Sequence, residues 1–131
     1  MRHLIDTHIW LWWYLEPERL DTQTRALMED GGTELFFSTA SVWEIAVKYR
    51  LGKLKLDTAP ENLLPSELAK DTIQILPISM VHALRAGALP PHHQDPFDRM
   101  LIAQAQLENL TLVTADQHFS DYRVRMHTVK T

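Results

Sequence analysis

The chain has 131 residues, the length of one domain, and is 45% hydrophobic and 23% charged, a soluble globular balance. It has no cysteine, which excludes disulfides and thiolate metal centres. A net charge of −4 argues against a wholly basic nucleic-acid-binding surface. It leaves room for a local basic patch, or for an acidic site that borrows charge from metal ions.

Residues 2–6 (Arg-His-Leu-Ile-Asp) read as a short strand ending in an acid. That acid stands where a signal peptide needs its apolar run. The following run, Ile9 to Leu15, is far too short to span a bilayer, so a cytoplasmic protein with no membrane contact is expected. In the same run Trp10, Trp13 and Tyr14 share one helical face, and Leu11 and Leu15 share another. A helix buried on several sides is expected, part of it serving as a partner surface. Pro17 ends it, and residues 22–30 read as a polar surface helix stopped by Gly31-Gly32.

Leu35 to Ser38 is a second strand. A helix follows from Thr39 to Arg50, in which Ser41 and Glu44 have the spacing of a capping box, a purely structural explanation of Glu44. Lys48, Arg50, Lys53 and Lys55 form the dense basic run of an acidic chain. Such a run is commonly a solvated face; here it is also the candidate contact for a phosphate backbone. Pro60 and Pro65 punctuate the middle, around a helix over about 61–70. Residues 73–78 form a third strand closed by Pro77, and Ser79 caps a helix through Val81, Leu84 and Ala88.

Asp95-Pro96 is a helix start, with a carboxylate N-cap and a proline at the first helical position. Asp98 falls in the first turn, with Leu101, Ile102 and Ala105 as face-mates. An acid that leads a core-facing stripe needs a partner. Residues 111–114 form a fourth strand, followed by Ala115-Asp116, and Tyr122 to Val129 allows a last one.

Strands separated by helices imply a parallel sheet covered on both faces, with sites outside the carboxyl ends of its strands. Asp6 and Asp116 lie at two such ends, and Glu44 and Asp98 in helix starts at the same edge. Each has a bland explanation alone: a strand end, a capping box, an acid at a helix dipole, a turn. Together they make an acidic cleft that would hold protons unless cations neutralise it. Oxygen ligands suit Mg²⁺ or Mn²⁺, which can activate water for phosphodiester cleavage. Thr114 is either a plain strand residue or a hydroxyl serving that site. Seven histidines raise a zinc reading, which the spacing does not favour: His92 and His93 are adjacent, and no helical H-x-x-x-H pair is present.

Leu-Ile-Asp-Thr-His at 4–8, Ser38 with Glu44-Ile45, Asp-Pro-Phe-Asp-Arg-Met-Leu-Ile-Ala-Gln-Ala at 95–105 and Leu-Val-Thr-Ala-Asp at 112–116 together resemble a PIN-domain protein. The likeness is to the VapC-type toxins of bacterial toxin–antitoxin pairs, and it covers essentially the whole chain. It implies a three-layer α/β/α sandwich around a mostly parallel sheet, about five strands by the reading above. It also implies an endoribonuclease dependent on Mg²⁺ or Mn²⁺. The family's acids fall on Asp6, Glu44, Asp98 and Asp116, with Thr114 at a hydroxyl position beside the last; Asp95 is accounted for as N-cap. The resemblance further implies a homodimer restrained by a cognate antitoxin, and the run Trp10–Tyr14 is the expected contact for one of these. Two other readings stay open. A receiver-like phospho-acceptor domain would need adjacent acids after the first strand and a lysine after the last. A PIN-like module could bind RNA or a partner without turnover.

Overall fold

The computed structural model describes residues 1–130. Its elements run β1 (Arg2–Ile5), α1 (Thr7–Leu15), α2 (Thr22–Glu29), β2 (Glu34–Ser38), α3 (Thr39–Arg50) and α4 (Pro60–Lys70). They continue with β3 (Gln74–Leu76), α5 (Met80–Ala88), α6 (Pro96–Glu108), β4 (Thr111–Thr114) and β5 (Met126–Thr128). The strands form one sheet in the order β3-β2-β1-β4-β5, and every neighbouring pair is parallel. Parallel neighbours need long crossovers, which the helices supply. The chain winds outward from β1 to β3, then returns to the other side of β1 to lay down β4. The crevice at the carboxyl ends of β1 and β4 is therefore the place where this architecture opens a site.

The sheet is buried on both faces because its strands are apolar at successive positions. Ile5, Leu35, Phe37 and Val113 pack with Ile9, Trp10, Ile45, Leu63 and Leu68 on one side. Leu4, Phe36 and Leu112 pack with Leu101, Ile102 and Phe119 on the other. Neighbouring residues thus serve opposite cores, as the strand period of two requires. The result is the expected three-layer α/β/α sandwich. Each fully buried Leu, Ile or Phe contributes roughly 1.5–3 kcal/mol relative to exposure.

Helix starts are set by short polar side chains. Asp21, Ser38, Ser79 and Asp95 each accept a hydrogen bond from the first turn of the helix they precede. One expectation is corrected here. The helix containing Glu44 is capped by Ser38, whose hydroxyl accepts from the Ala40 amide, so Ser41 and Glu44 do not form a capping box. Ser41 instead accepts a hydrogen bond from the Thr7 hydroxyl at 2.8 Å, tying α3 to the start of α1. The third strand is also shorter than its apolar run: Pro77 has no N–H to continue an edge ladder. At the end of α6, Asn109 takes the left-handed conformation at φ 58° and turns the chain into β4. The apolar run of α1 divides in character: Trp10 is fully buried and stacks on Tyr14 at 5.4 Å, whereas Leu15 is exposed.

Candidate active site

The four acids arrive at the β1–β4 crevice from four separate elements. Asp6 directly follows β1 and is buried. Its Oδ2 accepts the Thr114 hydroxyl at 2.7 Å, a bond from the end of β4. The same Thr114 oxygen accepts the Asp116 amide at 3.0 Å, so one threonine ties the first acid to the last. Glu44 lies in the second turn of α3 and is buried, and the Lys48 ammonium one turn later meets its Oε2 at 2.6 Å. Asp98 sits at the third position of α6, above fully buried Leu101 and Ile102. Asp95 keeps to its structural task, accepting the Phe97 and Asp98 amides.

The electrostatics of the group follow from crowding. Burial, and then the charges of Asp6, Asp95, Glu44 and Asp116, push the Asp98 carboxyl up to about 8. Burial raises Asp6 to about 6, with Glu44 adding to it and the Thr114 and Thr7 hydrogen bonds opposing. Asp116 goes the other way. Burial works against it, but the His118 amide and ring and the charge of His93 hold its carboxyl below the usual value. Without an added cation the site is frustrated in the sense that like charges share a low-dielectric crevice.

Two buried oxygens, Asp6 Oδ1 and Glu44 Oε1, have no hydrogen-bond partner. An unpaired buried carboxylate oxygen is costly unless a cation meets it. Hard anionic oxygens of this kind fit Mg²⁺ or Mn²⁺.

Sequence reasoning missed His93. Its Nε2 lies 2.8 Å from Asp98 Oδ2 and 3.8 Å from Asp116 Oδ2. The adjacent His92 instead stands edge-on to the Tyr122 ring, so only one of the pair faces the acids. Spacing along the chain could not reveal this, because the loop before α6 sets the direction of each ring. Thr7 was likewise not singled out, and Lys48 was read as the start of the basic run but not as the partner of Glu44. Beside it, a cleft of about 620 Å³ is lined by Thr7, His8, Trp12, Ile45, Lys48 and Lys53. The basic run therefore begins at the acids and continues, exposed, through Lys53 and Lys55.

The family model described as "PIN domain" matches residues 3–124. Ribonuclease VapC22 of Mycobacterium tuberculosis is 30% identical over 121 residues, 92% of this chain and 91% of that protein. Ribonuclease VapC16 of the same organism is 36% identical over 61 residues, 47% of this chain and 42% of that protein, so that match spans less than half of either. A solved structure described as a toxin–antitoxin complex from Klebsiella pneumoniae covers 96% of this chain and 96% of its own, at a TM-score of 0.67 and 22% identity. That last likeness speaks for the fold. On the match over nearly its whole length, the chain belongs to the PIN-domain family.

Proposed function

From that membership, we propose that the chain is a metal-dependent endoribonuclease and the toxin of a toxin–antitoxin pair. The observation that carries the reading is the meeting of Asp6, Glu44, Asp98 and Asp116 in one crevice, with a buried oxygen on Asp6 and another on Glu44 left without a partner. The relatives named as ribonucleases, one of them aligned over nearly the full chain, support the choice of RNA.

Asp6, Asp98 and Asp116, with Glu44, would hold Mg²⁺ or Mn²⁺, Asp6 fixed in orientation by Thr114. When bound, such an ion would supply activation of a water and neutralisation of the charge that develops on the phosphodiester and its leaving oxygen. The chain's own residues supply the rest. Thr114 orients Asp6 and anchors Asp116 through its amide. Lys48 neutralises Glu44 from within α3. Lys53 and Lys55, exposed beyond it, offer cations to the RNA backbone, which an acidic protein must otherwise repel. The antitoxin is proposed as a regulatory partner, a homodimer as the working assembly and the cytoplasm as its place. Among the described residues no helix is long and apolar enough to cross a membrane.

The test is cleavage of RNA by the purified protein with Mg²⁺ or Mn²⁺, against EDTA and an Asp98→Asn variant. Cleavage that requires both the ion and Asp98 supports the proposal. Cleavage that persists in EDTA, or in the variant, refutes it.

A further inference from the structure

The loop from Leu89 to Asp95 is fastened unusually firmly for a connection between helices. Arg99, the residue after Asp98, donates from Nη2 to the carbonyls of Ala86 and Leu89, both at 2.8 Å. From Nη1 it donates to the carbonyls of Pro90 and His93, both at 3.1 Å. Tyr122 completes the clamp. Its hydroxyl donates to Pro90 O at 2.7 Å and accepts the His93 amide at 2.8 Å. The backbone of His93 is thus held on both sides, by a residue next to one site acid and by one six positions past another. The imidazole packs edge-on to buried Phe119, with ring centroids 5.9 Å apart.

This fastening aims a single nitrogen. His93 Nε2, an Asp98 oxygen and an Asp116 oxygen all lie within 4.8 Å of one another. Ligand atoms at right angles on an ion with bonds of about 2.1 Å sit roughly 3 Å apart. The separations of His93 Nε2 from Asp98 and Asp116, 2.8 and 3.8 Å, lie on either side of that figure. A salt bridge to Asp98 alone would need neither the second carboxylate nor the two-sided hold on the backbone.

We propose that His93 is a nitrogen ligand of a divalent ion held with Asp98 and Asp116, and that it biases the site toward Mn²⁺ or a similar first-row ion over Mg²⁺. The inference rests on the metal-site reading above and adds a ligand of a different chemical kind. Imidazole nitrogen suits the later first-row ions, whereas Mg²⁺ favours oxygen. In this role Nε2 presents its lone pair and the ring keeps its proton on Nδ1. Arg99 and Tyr122 are then positioning residues that act through the His93 backbone.

The experiment is pulsed EPR on Mn²⁺ bound to the full chain, with histidine at natural abundance and then ¹⁵N-labelled. The expected result is nitrogen modulation that changes isotope on histidine labelling. It disappears in His93→Ala and survives in His8→Ala and His118→Ala, the other histidines near the acids. His93→Ala should also weaken Mn²⁺ binding by roughly tenfold or more, with a smaller change for Mg²⁺. Bound Mn²⁺ without histidine modulation overturns the inference and leaves the acidic metal site standing. So does modulation lost in His118→Ala and kept in His93→Ala. Absence of stoichiometric Mn²⁺ binding overturns the metal-site reading itself. Should His93→Ala fail to fold, His93→Gln, which keeps the side-chain bulk and carries no histidine label, takes its place in the same measurement with the same two outcomes.

Discussion

Asp98→Asn should stabilise the metal-free protein while removing its activity. The Asp98 carboxyl, only 15% exposed, is raised from 3.8 to about 8 by burial and by its acidic neighbours. A carboxyl raised in the folded state contributes stability that is fully present below pH 3.8 and is lost as pH climbs through about 8. At about 1.4 kcal/mol per unit, the ionised group would cost on the order of 5 kcal/mol at pH 8. Relaxation and solvent reduce this, so about 2–5 kcal/mol is expected from the substitution, which keeps the shape and removes the charge. For a chain of this length that is a rise of roughly ten degrees in melting temperature. The assay is thermal melting in EDTA at pH 5 and pH 8. The variant should melt well above wild type at pH 8, and the gap should shrink to about 1 kcal/mol at pH 5. Saturating Mn²⁺ should close much of that gap, since an ion at a hundred times its Kd adds about 2.7 kcal/mol to the form that binds it. A variant less stable than wild type in EDTA at pH 8, or a gap independent of pH, refutes the account of crowded acids.

Three further outcomes follow from named contacts. Thr114→Val should cost roughly 2–3 kcal/mol, because it strips a buried hydrogen bond from Asp6 and an acceptor from the Asp116 amide; denaturant titration measures it, and RNA cleavage should fall with it. Arg99→Ala should destabilise by about 2–4 kcal/mol, and Arg99→Lys should recover little, since one ammonium cannot reproduce a fork that reaches several carbonyls. Reversing charge at Lys53 and Lys55 should weaken RNA binding and reduce the slope of log affinity against log salt by about 1–2; an unchanged slope removes these lysines from the interface.

Much of the fold was legible because strands here are short apolar runs bounded by clear stops. Residues 111–114 form β4 as read, and Asp95-Pro96 starts α6 with the cap and proline its residue types demand. The convergence of Asp6, Glu44, Asp98 and Asp116 was legible for a topological reason. Parallel strands gather their carboxyl ends at one edge, so acids placed there meet whatever their separation in sequence. The Ser41–Glu44 spacing left a capping box open as the structural alternative for Glu44, and it goes unused because Ser38, three residues earlier, is the cap. His93 was illegible because nothing in its spacing encodes ring direction. That direction depends on Arg99 and Tyr122, and so on tertiary contacts.

The order of the sheet also fixes when the site can exist. β4 is laid beside β1 only after β2 and β3 have been made, and Asp116 lies beyond it. During synthesis the earlier acids therefore emerge into a half-sheet whose central edge, β1, is still open. Thr114 has not yet arrived to orient Asp6, and the crevice has only one wall. The acidic crevice is closed late, when β4 docks beside β1. A growing or truncated chain that lacks this strand carries most of the acids and none of their arrangement.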